Sequence, residues 1–194
     1  MKFRIKYLSI TIIVILLIIP IFFGVYTDFL IVSDLSVFVV LFLLIGFVLL
    51  LISGKIIERF LYKEPSKELM KQHDVVNAFM SGDSKMALLV FFPLTMIMEE
   101  LIFRYYIIGL LLKELMGGVI LAIIVSSIIF SIYHIHIWFR FKDKTILISY
   151  LITSFLLGIY NGIILLTLGI FACIIVHTVI VFILYYNLYK KLSK

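Results

Sequence analysis

The sequence predicts an all-α protein, a polytopic bundle of about six transmembrane helices with both termini in the cytoplasm. Three features predict it: the composition, the length of the apolar runs and the placement of the basic residues. Of the 194 residues, 64% are hydrophobic and only 14% charged, and the mean hydropathy is +1.27. A soluble domain is about half apolar and about one quarter charged, so this mixture cannot furnish a water-facing surface. One membrane domain, 1–194, is expected, with no separate soluble domain. Cys173 is the single cysteine, which excludes an internal disulfide; in its apolar run it reads as a small packing residue.

A helix needs about 20 apolar residues to cross a bilayer. Six runs qualify: Tyr7 to Tyr26, Leu35 to Ile57, Leu88 to Leu112, Val119 to Trp138, Thr145 to Leu166 and Leu168 to Tyr189. The first follows a basic start, but its apolar part is too long for a signal peptide and no small-x-small cleavage site follows, so it reads as an uncleaved span.

Orientation comes from the basic residues. Lys2, Arg4 and Lys6 precede the first span. Lys55, Arg59, Lys63, Lys67, Lys71 and Lys85 follow the second. Arg140, Lys142 and Lys144 join the fourth to the fifth, and Lys190, Lys191 and Lys194 end the chain. Only Lys113 falls on the other side, with Asp28 and Asp34 in the first outer loop, and Arg104 lies inside a span. The net charge of +6 is thereby read as topology and not as nucleic-acid binding.

The expected organisation is two N-terminal spans (1–57), a cytoplasmic or interfacial linker (58–85) and a four-helix catalytic core (86–190). The linker mixes charge with Leu69, Met70, Val75, Val76, Phe79 and Met80, which suits an interfacial helix and a plain connection equally. Pro93 either kinks the third span or opens its helix. Gly158-x-x-x-Gly162 permits close helix contact. Together with Gly169, these glycines read as sources of flexibility around the junction of spans five and six.

A few polar residues stand where apolar ones are expected. Glu99 and Glu100 lie inside the third span, where an ionisable side chain defaults to a functional or paired role. Arg104 stands four residues after Glu100, on the same helix face, so those two are expected to pair. Glu99 points about 100° away and is left available. His134 and His177 lie inside the fourth and sixth spans. His136 is about 200° around the helix from His134, and His73, in the polar segment, reads as a solvated surface residue. Glu99, His134 and His177 are expected to converge in the cytoplasmic half of the bilayer. A glutamate in a poorly solvated pocket is a competent general base, and imidazoles orient water, relay protons or stabilise an oxyanion. The same three residues could hold zinc. The helical His-Glu-x-x-His signature is absent, and no cofactor is assigned.

Glu99-Glu100-x-x-x-Arg104, Phe130-x-x-x-His134 and the late His177 resemble the CPBP intramembrane proteases, the CAAX-protease and bacteriocin-processing (Abi) family related to type II CAAX prenyl endopeptidases. Ser127-Ile-Ile-Phe130 ahead of the first histidine and Gly169 eight residues before His177 add to the likeness, which covers about Leu88 to Tyr189. The resemblance implies Glu99 as catalytic glutamate and His134 as its water-orienting partner. It implies Glu100 and Arg104 as supports, and His177 as an outer supporting or oxyanion histidine. The family usually carries asparagine four residues after this last histidine, where this chain has Val181. Valine cannot donate a hydrogen bond, Thr178 is poorly directed, and Asn187 is on another face, roughly 15 Å along the helix from His177.

The leading expectation is therefore an intramembrane endopeptidase of the cell membrane, acting on a membrane-embedded or membrane-anchored peptide or protein. A catalytically degenerate relative serving as a membrane immunity or scaffold protein is the alternative, motivated by Val181. A proton-coupled transporter is a third, disfavoured by the short loops and the lack of paired broken helices.

Overall fold

The computed structural model describes residues 2–32, 36–81 and 86–193; Asp34, the expected start of span two at Leu35, Lys85 and Lys194 lie outside the described residues, as do the side chains of Lys2, Arg4 and Lys6. The chain is all-helical among the described residues. Its helices are α1 (Lys2–Phe22), α2 (Val37–Leu61), α3 (Glu64–Met70), α4 (Asp74–Ser81), α5 (Phe92–Glu100), α6 (Val119–Tyr133), α7 (His136–Phe141), α8 (Lys144–Leu168) and α9 (Ile170–Leu192). Wide π-helical turns flank α5, at Ala87–Phe91, Leu101–Ile108 and Leu110–Glu114.

Four helical stretches are long and apolar enough to cross a membrane: Val37–Leu61, Val119–Phe141, Lys144–Leu168 and Ile170–Leu192. They expose large apolar side chains such as Phe38, Phe42, Leu44 and Ile120, which suits a membrane protein, since hydrocarbon is the environment in which such a surface is stable. The six-span reading adds two segments. One is the shorter apolar part of α1, Tyr7–Phe22. The other is the unbroken helical path from Met86 to Glu114, made of alternating α and π turns.

Local chemistry explains the breaks. Pro93 is the second residue of α5 and follows the first π segment directly; lacking an N–H, it cannot bond back to the carbonyl four residues earlier. The Val119–Phe141 stretch bends at His134, whose N–H bonds back to Ser131 at 3.0 Å before α7 begins. Asp143 caps α8 by accepting from the Ile146 N–H at 2.9 Å, and its other oxygen accepts from the Ser66 hydroxyl at 2.9 Å. That ties α3 to the α7–α8 corner.

α8 is the hub, packing against α2, α6, α7 and α9. Gly158 and Gly162 make this possible by the close contact that their spacing suggests. A Cβ at Gly158 would lie 2.8 Å from the Ser127 Cβ, and one at Gly162 would lie 2.9 Å from Ile123. Gly169 alone turns α8 into α9, with φ 89° and ψ −179°, a region open only to glycine. Tyrosines fasten the spans to one another. The Tyr105 hydroxyl donates to the Val25 carbonyl at 2.7 Å, Tyr160 donates to Leu43 at 2.5 Å, and Tyr106 donates to Leu17.

The polar segment after α2 folds as α3 and α4 and docks on the bundle, burying Met70, Val75, Val76 and Ala78. At this end Lys191 pairs with Glu58 and Arg140 with Asp74, each at 2.7 Å. Lys113 pairs with Asp28 at 2.7 Å elsewhere, where the helix after α5 ends. His73 is not a solvated surface residue. Its ring stacks on Tyr185 at 4.6 Å between centroids, because the docked segment carries it against α9.

Gly158→Leu should lower the melting temperature in detergent, with an overpacking cost on the order of 1–3 kcal/mol. Gly118→Ala, where an added Cβ meets nothing within 4 Å, should leave melting unchanged.

Candidate active site

The last turn of α5 carries Glu99 and Glu100 inward. Glu99 is 5% exposed, while Glu100 and Arg104 are fully buried. A buried charge is costly unless paired, and Glu100 divides its two oxygens between two partners. Oε2 lies 3.4 Å from Arg104 Nε. Oε1 accepts from His177 Nδ1 of α9 at 2.6 Å. The expected Glu100–Arg104 neighbours are therefore together, but the sequence reading did not foresee that Glu100 also orients His177.

The Arg104 contact is an ion pair without hydrogen-bond alignment: Arg104 Nε, Nη1 and Nη2 have no hydrogen-bond partner among the described residues. The pair straddles the change from α to π winding at Leu101. A π turn closes over five residues instead of four, which takes Arg104 off the ideal stacking position. Its guanidinium lies over the Phe130 ring at 4.0 Å, a cation–π contact in which the ring face answers the positive charge. Ser126, next to this contact on α6, donates to the Phe103 carbonyl of the π segment at 2.5 Å.

Phe130 stands between the two histidines. Its ring meets His134 edge-on at 4.8 Å and His177 at 5.8 Å. His134 closes α6, and its Nδ1 lies 2.9 Å from the Phe130 carbonyl. A carbonyl can only accept, so Nδ1 carries the proton and a neutral His134 leaves Nε2 bare. In His177 the same logic applies: Glu100 takes Nδ1–H, and Nε2 faces Glu99 Oε2 at 3.8 Å. That is longer than a hydrogen bond.

Glu99, His134 and His177 line one cavity of about 560 Å³, which also reaches Glu58, Asp74 and Arg140 at the charged end of the bundle. Val181 lines it as well, presenting only methyl groups. Thr178 does not compensate, because its hydroxyl donates to the Ile174 carbonyl of its own helix at 2.7 Å. Among the described residues, no three His, Cys, Asp or Glu side chains are grouped to hold a metal ion.

Among the cavity residues to which the sequence assigns no site role are His73, Tyr150 and Tyr185. Tyrosine near a span end is ordinary interfacial composition, so only the packing distinguishes them.

Carboxylates and imidazoles at the inner wall of a cavity in an apolar helical bundle suit hydrolysis, and the chain's class is that of helical membrane endopeptidases. The family description that matches, over residues 82–183, is type II CAAX prenyl endopeptidase Rce1-like. This is just over half of the 194 residues, and the chain belongs to that family. No curated protein and no solved structure matches it. The matched region runs from before α5 into α9 and includes every residue from Glu99 to Val181.

Replacing Arg104 by Met should destabilise the fold by about 3–5 kcal/mol, because it strands a buried carboxylate. Adding Glu100→Gln should recover part of that loss in thermal melts. A double variant no more stable than Arg104→Met would show that the two charges are not coupled.

Proposed function

We propose that this chain hydrolyses a peptide bond of a membrane-associated substrate, with Glu99 activating the water. The supporting observation is that Glu99 and the inward-facing nitrogen of His177 meet at the wall of the cavity that His134 also lines. A water bonded to both Glu99 and His177 at about 2.8 Å would subtend roughly a right angle across the 3.8 Å gap, which water can adopt. Glu99 takes a proton from this water as its oxygen adds to the scissile carbonyl carbon. The carbonyl oxygen becomes an oxyanion, Glu99 returns the proton to the amide nitrogen, and the C–N bond breaks to give a carboxylic acid and an amine, the acid then passing its proton to the amine to leave carboxylate and ammonium.

His134, its tautomer set by the Phe130 carbonyl, orients the water through Nε2. His177, held by Glu100, turns Nε2 to the reacting atoms and donates to the oxyanion when protonated. Glu100, Arg104 and Phe130 support this arrangement from behind. Uncompensated reorientation of a catalytic imidazole is costly in rate, so these buried contacts serve function as well as stability.

The organisation that fits this role is a catalytic unit of α5 to α9, with α1 and α2 as flanking spans and α3–α4 as a cover on the charged end. We infer that this end, bearing Lys190, Lys191, Arg140 and Lys142, faces the cytosol of a cell-membrane protein. Substrate then enters from the cytosolic side.

A second reading, a relative without activity that serves as an immunity or scaffold protein, is favoured by Val181 alone. Glu99→Gln and His134→Ala separate the two. On the protease reading each should lower cleavage of a membrane-anchored peptide by about 100-fold or more, with expression and melting preserved. Variants that cleave as fast as the parent would eliminate the Glu99 mechanism. Orientation is checked separately: a cysteine at Lys190 should react with an impermeant maleimide only in opened cells, and one at Asp28 in intact cells.

A further inference from the structure

The inner wall lacks a donor at Val181, yet the cavity holds a hydrogen-bonded chain that ends in an uncommitted hydroxyl. Tyr185 lies on α9 one turn beyond Val181, and both line the cavity. Tyr185 Oη meets Tyr150 Oη of α8 at 2.7 Å and His73 Nε2 at 3.0 Å.

The direction of this chain follows from its far end. The Val75 N–H lies 3.4 Å from His73 Nδ1 and can only donate. Nδ1 therefore accepts, and the neutral ring carries its proton on Nε2. Nε2–H donates to Tyr185 Oη, and the Tyr185 O–H donates to Tyr150 Oη. That leaves the Tyr150 hydroxyl proton, for which no hydrogen-bond acceptor is found among the described residues. The Tyr150 ring lies 6.0 Å from the His134 ring, placing it beside the proposed catalytic wall. A hydroxyl that already accepts from a chain of donors is a stronger donor itself, since each bond polarises the next.

We propose that the Tyr150 hydroxyl supplies the hydrogen bond to the oxyanion that Val181 cannot, with Tyr185 and His73 acting as positioning residues that set its direction. The assignment rests on the hydrolytic reading above. It specifies which group on this chain stabilises the tetrahedral intermediate together with His177. No bond is made or broken by Tyr150; it donates to the charge as it develops and releases it when the C–N bond breaks. The chain also joins chemistry to architecture: His73 reaches Tyr185 only when the α3–α4 segment is docked, so the donor is assembled by the cover itself.

The test uses the full-length protein in detergent micelles with an internally quenched, prenylated Cys-aliphatic-aliphatic-X peptide as probe. Tyr150→Phe should lower kcat by about 100-fold, the scale of losing one oxyanion donor, with KM within about two-fold and melting unchanged. Tyr185→Phe should lower kcat less, because Tyr150 keeps its hydroxyl but loses its guide. Adding Val181→Asn to Tyr150→Phe should restore much of kcat, since it returns a donor to the same wall. If Tyr150→Phe keeps the parent kcat while Glu99→Gln is inactive, this assignment is overturned alone. A loss of activity that tracks a lowered melting temperature, with no recovery from Val181→Asn, marks Tyr150 as a packing residue and also overturns it. A parent protein no more active than Glu99→Gln overturns the hydrolytic reading and this assignment together.

Discussion

The arrangement depends on a single buried carboxylate with two obligations. Glu100 is fully enclosed, and an enclosed charge persists only if its surroundings replace the water it has lost. Arg104 provides the opposite charge from the same helical path, and His177 provides a short, directed hydrogen bond from α9. Neither partner is sufficient alone. The arginine is near but misaligned, and the histidine satisfies only one oxygen. Their combination locks α9 to α5 and selects the tautomer of His177. Stability and catalytic geometry therefore draw on the same contact, so a change at Glu100 or Arg104 reaches the proposed catalytic atoms through His177 without touching them.

The π winding after Glu100 is the second constraint. In an ordinary α-helix an i,i+4 acid–base pair closes on itself along the helix surface. Here the wider turn moves the guanidinium onto Phe130, and Phe130 in turn separates the rings of His134 and His177. One irregular stretch thus sets the spacing between two imidazoles on different helices. Irregular winding is tolerated at membrane depth only where neighbours satisfy the displaced backbone groups. Ser126 does so for the Phe103 carbonyl, and its neighbour Ser127 lies close enough to α8 to require glycine at 158.

The α3–α4 segment changes the meaning of the charged end. As a loose connection it would leave the cavity open, with His73 in solvent. Docked, it buries Met70 and Val76 and is latched by Arg140 to Asp74 and by Ser66 to Asp143. His73 then enters the aromatic wall beside Tyr185 and Tyr150. The two proposed roles of the cavity, water activation at Glu99 and oxyanion stabilisation at Tyr150, come from opposite ends of the chain's polar content. The first sits on α5, and the second sits on α8 with its direction set by His73 of the docked cover.

Much of this protein is determined by its sequence alone, because membrane burial makes polar residues scarce and therefore legible. The all-helical class, the long apolar stretches, the pairing of Glu100 with Arg104 and the candidacy of Glu99, His134 and His177 all follow from composition and a helical repeat of 3.6 residues. The glycines of α8 were also visible, and the close helix contact expected of Gly158 and Gly162 is what the structure shows. Winding that departs from that repeat is invisible to a periodicity argument, so the π turns and the break at His134 were not foreseen. Contacts between distant segments were equally hidden, and the tertiary structure alone decided that Glu100 holds His177 and that Phe130 separates the histidines. It alone brought His73 to Tyr185, because which face of a docked segment meets the bundle depends on packing across more than a hundred residues of intervening chain.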